Sequence, residues 1–183
     1  MSTVTNVSVG KPKIGGAIYV GPTTATLPTD ATTALDAAFA CLGYCSEDGL
    51  TNDNSPESDT IKAWGGDTVL VLQTSKKDTF GFTLIEVLNA DVLKFIYGDA
   101  NVTGTLAAGI TVTANSKEAQ ERAIVIDMVL REGAVKRIVI PRGKVSEVGT
   151  ITYADEDAIG YETTVTCTPD ASENTHYEYI LRT

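Results

Sequence analysis

The run Lys62-Ala63-Trp64-Gly65-Gly66-Asp67-Thr68 constrains this chain more than any other. Gly65 and Gly66 take positive φ without a Cβ clash, so the pair suits a tight hairpin turn. Around it, Gly43 to Leu88 is the longest part of the chain with nearly unbroken strand character. Glu57 to Trp64 and Thr68 to Thr74 are expected to pair antiparallel across the turn. A polar turn at Ser75-Lys76-Lys77-Asp78 then leads into Thr79 to Val87, giving a three-stranded meander. The rest of the chain is expected to be organised around this sheet, and assembly rather than catalysis is its expected purpose.

The charge narrows the partners. With 14 basic against 24 acidic residues the formal net charge is −10. That opposes tight binding to a phosphate backbone, which needs a basic face. It does not oppose a surface past which nucleic acid slides. At 183 residues the chain is long enough to bury roughly 70% of its unfolded surface as one domain, with no need of a disulfide or metal. No stretch approaches the ~18 apolar residues of a membrane span. Met1 to Lys13 lacks a charged region followed by an apolar run, so it is read as a polar arm rather than a signal peptide. The domain itself is expected over residues 14–183.

Taken in order, Ile14 to Val20 reads as a strand ended by Gly21-Pro22. Thr23 to Thr33 is a long loop, functional or disordered. Leu35 to Leu42 suggests a short helical turn, Tyr44 to Leu50 a short strand, and Thr51 to Ser58, dense in Asn, Asp, Ser and Pro, a second loop. Asn89 is a good N-cap for the best helix in the chain, with Val92, Leu93, Ile96 and Tyr97 on one apolar face and Gly98 at its end. A short strand is expected around Ile110 to Thr113, then a charged link from Lys117 to Arg122. Ala123 to Leu130 is apolar on both faces, as in a covered central strand. It turns at Arg131 to Ala134 into Val135 to Ile140, where Pro141 interrupts; Lys144 to Tyr153 resumes, with a bulge at Gly149. Gly160 to Thr168 alternates cleanly, with Tyr161, Thr163, Val165 and Cys167 on one side. His176 to Leu181 is a final strand. About ten strands and one flanking helix imply a mostly β protein, a β-sandwich or barrel.

A search for chemistry returns little. The single His excludes most histidine-based schemes, and no GxSxG elbow, phosphate loop or GxGxxG run is present. Cys41, Cys45 and Cys167 are an odd set, expected to be reduced thiols made in a cytoplasm and small core residues. A four-ligand zinc site needs all three plus His176. Glu47, Asp48, Asp53, Glu57 and Asp59 form an acidic cluster, but without the spacing of a calcium loop. No catalytic residue, metal or cofactor is expected, and the chain is read as a non-enzyme.

Several runs carry a family likeness, in order and over nearly the whole chain. They are Glu47-Asp48-Gly49-Leu50-Thr51, Ser55-Pro56-Glu57-Ser58, Ile61-Lys62-Ala63-Trp64-Gly65-Gly66 and Thr83-Leu84-Ile85-Glu86. Val92-Leu93-Lys94, Tyr97-Gly98, Arg137-Ile138-Val139-Ile140-Pro141, Ile159-Gly160-Tyr161-Glu162 and Tyr177-Glu178-Tyr179 continue it. Together they resemble the major tail proteins (tail tube proteins) of long-tailed phages and prophages of Gram-positive bacteria. The resemblance implies a structural virion protein, made in the host bacterial cytoplasm and located in the virion tail. It implies hexameric rings that stack into a tube around a tape measure protein, with tail terminator and distal tail proteins as further partners and DNA passing through transiently during ejection. Neighbouring subunits complete an inner β-barrel in that family. On this basis Glu57, Asp59, Lys62, Trp64 and Asp67 are the expected lumen or assembly residues. Two other classes fit less of the chain. One is the inner tube of a contractile tail, a phage-derived bacteriocin or a related secretion apparatus. The other is an immunoglobulin-like surface or carbohydrate-binding module.

Overall fold

A computed structural model describes residues 2–182; Met1 and Thr183 lie outside the described residues. Its strands are β1 (Lys11–Pro12), β2 (Ile18–Gly21), β3 (Ala40–Cys41), β4 (Cys45–Lys62), β5 (Thr68–Leu84), β6 (Val102–Thr105), β7 (Gly109–Val112), β8 (Arg122–Val129), β9 (Val135–Val148), β10 (Tyr161–Cys167) and β11 (Tyr177–Leu181), with one α-helix, α1 (Ala90–Tyr97). The main sheet runs β3-β2-β8-β9-β10-β5-β4, with β1 on β8 and β11 on β9, while β6 and β7 form a separate hairpin. This is the mostly β architecture with one flanking helix that the strand count implied.

The two-sided apolar run at Ala123 is central, as expected. Ile124, Val125 and Ile126 of β8 pair with Ile140, Val139 and Ile138 of β9, all buried. The free edge of β9 serves two partners in succession, β11 along Val135–Val139 and β10 along Gly143–Val148. Pro141 does not break this strand. Ile140 faces Ile124 and Gly143 faces Arg122, so β9 carries an extra residue around Pro141, and a proline without an N–H is tolerated at such a bulge. The bulge expected at Gly149 sits instead around Ser146, where Val145 and Glu147 face the adjacent Val165 and Thr164. The strand stops at Val148 rather than Tyr153. In β10 the expected face, Tyr161, Thr163, Val165 and Cys167, is buried throughout.

The helix begins and ends where its signals lie. The Asp91 N–H donates to Asn89 Oδ1 (3.0 Å), and Gly98, at φ 92°, donates its N–H to the Lys94 carbonyl (2.8 Å). Its buried face is Val92, Leu93 and Phe95, with Ile96 and Tyr97 only half-buried. Phe95 stacks on Phe82 of β5 (6.4 Å), and Tyr97 meets Tyr161 edge to face (6.0 Å). Burial of a side chain like Phe95 is worth about 2–3 kcal/mol.

The meander around Gly65-Gly66 is not the observed arrangement. The turn forms as expected, with the Ala63 N–H donating to the Asp67 carbonyl (2.8 Å) and both glycines at positive φ. But β5 runs unbroken from Thr68 to Leu84, with no turn at Ser75–Asp78, and β4 passes straight through the expected loop at Thr51–Ser58. Asp53 pairs with Thr79, Ser55 with Lys77 and Pro56 with Lys76. Pro56 is accommodated because β4 has a partner on one edge only. The turn composition at these positions reflects a ribbon wet on both faces, not a change of direction. Elsewhere the helical turn expected at Leu35–Leu42 is a single turn at Asp36–Phe39 followed by β3, and the strand near Ile110 has an unanticipated partner in β6.

Candidate assembly surface

Beyond Asp53 and Thr79 the β4–β5 hairpin leaves the body of the protein. Every residue from Thr51 to Lys77 is exposed, and Asp78 is the first buried one. From Asn54 to Lys62 the ribbon extends roughly 30 Å at about 3.3 Å per residue. Its outer half is apolar. Ile61 pairs with Leu70, Asp59 with Leu72 and Thr60 with Val71, so Val69 to Leu72 presents aliphatic side chains to both faces. Such a pattern belongs to a strand covered on both sides. Here Ile61, Leu70 and Leu72 remain about half exposed and Trp64 at the tip is wholly exposed. Because β10 pairs only with Thr79–Leu84, the other edge of β5 over Thr68–Asp78 has no partner among the described residues.

The five residues expected from sequence, Glu57, Asp59, Lys62, Trp64 and Asp67, all fall on this arm. Glu57 accepts from Ser75 Oγ (2.6 Å), and Asp59 accepts from the Thr60 N–H (2.8 Å). Lys62, Trp64 and Asp67 surround the turn, with no ion pair to Lys62 or Asp67 among the described residues. The wider acidic set does not converge: Asp53 meets Lys77 (3.6 Å), and Asp48 accepts from Ser46. The sequence reading overlooked Val69–Leu72, although four successive aliphatic residues without a polar alternate were the signal.

A buried polar cluster fixes the root of the arm. The Asp78 carboxylate is bound by Asn52 Nδ2 (2.9 Å), Thr175 Oγ1 (2.5 Å) and His176 Nδ1 (2.6 Å). Asn52 also donates to the Thr79 carbonyl (3.1 Å), and the His176 ring meets Phe80 edge to face (5.3 Å). Burial pushes the Asp78 carboxyl up. The hydrogen bonds from Thr175, His176 and Asn52 outweigh that and hold it below its ordinary value. The lone His is thus a structural partner that ties the segment before β11 to the arm's base.

The thiols are separate from the arm. Cys167 is buried, and burial pushes it up to about 12; burial likewise raises Cys45 to about 11. Cys41 Sγ lies 3.5 Å from the Gly15 carbonyl, while His176 is engaged by Asp78. Among the described residues no three His, Cys, Asp or Glu side chains converge as a metal site, and no helix is long and apolar enough to cross a membrane.

Two concavities lie beside the helix. One, of about 280 Å³, lies between the C-terminal end of α1 and residues 114–122. The other, a cleft of about 260 Å³, opens between α1 and the β2–β3 edge, lined by Val20, Ala38, Ala40 and Phe95 together with Asp91, Lys94, Asp99 and Arg122. Arg122 is held by Asp99 (2.5 Å), and Lys94 by Asp91 (3.5 Å).

The arm thus leaves an apolar surface that is uncovered in the single subunit. No curated protein matches the chain. The phage tail tube protein family model, however, matches residues 9–183, all but the first few residues, and the chain belongs to that family.

Proposed function

We propose that this tail tube protein assembles into hexameric rings that stack into the tube of a long phage tail and form the conduit for DNA ejection. The single observation that carries the reading is the β4–β5 arm, exposed from end to end in the isolated subunit, with an outer half apolar on both faces. An open, apolar strand edge is an aggregation hazard unless something covers it. Copies of the same chain cover it without a second gene product, and a head-to-tail contact that closes makes a ring, while one that does not makes a stack. Burying what remains exposed of Ile61, Trp64 and Val69 to Leu72 contributes on the order of 5–10 kcal/mol. Association costs about 4–15 kcal/mol, so the arm alone roughly offsets it and further contacts decide assembly.

In this reading residues 14–183 form the tube domain and residues 1–13 an N-terminal arm, tied to β8 of its own subunit at Lys11–Pro12. Glu57, Asp59 and Asp67 supply negative charge to the lumen. The tape measure protein lies inside the tube, and tail terminator and distal tail proteins close its ends. The subunits are made in the cytoplasm of the bacterial host, a Gram-positive one, and perform no catalysis. Electron microscopy of the purified full-length protein at rising concentration tests this. Rings or tubes of uniform width with six-fold symmetry are expected; discrete monomers at every concentration overturn the proposal.

A further inference from the structure

The arm carries an aromatic knob, and the body carries a cleft that nothing in the same subunit fills. Trp64 stands at the tip with only Ala63, Gly65 and Gly66 beside it in the chain, so its indole is wholly in water. Large aromatic anchors of this kind dominate interfaces when a pocket receives them. We propose that Trp64 of one copy inserts into the cleft between α1 and β2–β3 of another copy. The inference rests on the tube reading and names the side chain that locks it.

Three observations support the pairing. The first is fit. The cleft, about 260 Å³, has an apolar lining of Val20, Ala38, Ala40 and Phe95, and the two alanines leave room for a flat ring. Lys94 and Arg122 also line it, and cations beside a bound indole add to its retention. The second is charge. Lys62, two residues before Trp64, has no ionic partner among the described residues, and Asp91 and Asp99 of the cleft lining are carboxylates it can meet. The third is reach. Phe95 of the cleft stacks on Phe82 (6.4 Å), and the extended strand from Thr68 to Phe82 spans roughly 45 Å. A subunit therefore cannot fill its own cleft with its own tip. Knob and cleft are different surfaces of one chain, so their contact is heterologous and propagates from copy to copy.

Trp64 is the sole tryptophan, so its fluorescence reports this contact without a label. In the full-length protein, assembly is expected to shift its emission to the blue and reduce acrylamide quenching severalfold. With p-benzoylphenylalanine in place of Trp64, irradiation of mixed light and heavy isotope-labelled assemblies is expected to cross-link position 64 to peptides holding Ala38, Ala40 or Phe95 of a different copy. The double variant Ala38→Leu, Ala40→Leu fills the cleft and is expected to abolish both signals. If that variant misfolds, the cross-link map still decides. Tubes in which Trp64 stays as quenchable as in the subunit, or cross-links elsewhere, overturn this inference and leave the tube reading intact. Absence of any assembly by the wild-type protein overturns the tube reading and this inference with it.

Discussion

The Arg137 guanidinium grips the Asp127 carboxylate side-on, through bonds of 2.6 Å from Nε and 2.9 Å from Nη2, between directly paired residues of β9 and β8. Both are buried in the middle of the sheet. The remaining nitrogen, Nη1, donates to the carbonyls of Asp30 (3.1 Å) and Thr33 (2.7 Å). Asp30 in turn accepts from the N–H groups of Thr32 and Thr33, so the long loop at Thr23–Thr33 is pinned to the sheet by one side chain.

Removing that side chain leaves a buried carboxylate with only Lys13, at 3.2 Å, to face it. Arg137→Met is therefore expected to cost about 3–5 kcal/mol, read as a lower urea midpoint. Asp127→Leu combined with Arg137→Met removes both charges and is expected to recover much of that loss. In both variants, hydrogen exchange across Thr23–Thr33 should rise, because the carbonyl anchors are gone. A single Arg137→Met variant as stable as wild type refutes the ion pair's role.

Asp78 gives a pH-dependent counterpart. Its folded pKa lies below the ordinary value of 3.8, so its contribution to stability is fully present above about pH 4. The contribution is lost as the pH falls through the depressed folded value. Asp78→Asn is expected to cost about 2–3 kcal/mol near neutrality, the scale of a hydrogen bond to a charged group. The gap between variant and wild-type denaturation midpoints should then narrow as the pH falls below about 4. A gap constant down to strongly acidic pH argues against an ionised Asp78 at the arm's root.

How far the sequence disclosed these features follows from the range of the interactions involved. The β8 run Ala123–Leu130 and the helix from Asn89 to Gly98 were legible because their signals are local: an apolar run, a cap and a terminating glycine. The alternation in β10 was legible for the same reason. Arg137 was not, since its partner is identified only once the β8–β9 register is known. The cleft draws Val20, Ala38 and Phe95 from three distant segments, and no spacing in the chain foretells it. The arm was half legible. Gly65-Gly66 marked its tip, and Glu57, Asp59, Lys62, Trp64 and Asp67 were placed on one stretch. The Asn, Asp, Ser and Pro of Thr51–Ser58 read as a loop because a strand solvated on both faces has the composition of one.

Val69→Asp with Val71→Asp, on the face opposite Asp59 and Leu72, separates folding from assembly. Both side chains are more than half exposed, so the thermal midpoint should hardly move, as for other surface substitutions within about 0.5 kcal/mol. Two carboxylates would, however, enter any covered interface without partners, at several kcal/mol each. Sedimentation is expected to show folded subunits and no rings or tubes. Tubes of normal width from this variant would mean that the arm's apolar face is not covered in the assembly.

The acids of the arm make the last prediction, one about transport rather than assembly. Duplex DNA carries one charge per ~1.7 Å, and a basic wall would hold it by releasing counterions. An acidic wall repels it across a Debye length of about 8 Å at physiological salt, so the duplex stays clear of the protein and slides. Glu57, Asp59 and Asp67 are exposed, and the chain's net charge of −10 leaves no excess of cations to mask them. Lys at all three positions replaces three negative charges by three positive ones per subunit, repeated around every ring. Tubes should still form, since Glu57 and Asp59 are exposed strand positions and Asp67 an exposed turn position that Lys tolerates, and electron microscopy checks that. DNA ejection, followed by dye accessibility after triggering, should slow, and raising the salt should restore part of the rate as the added charges are screened. Ejection at the wild-type rate from intact Lys-bearing tails would place these three carboxylates away from the path of the DNA.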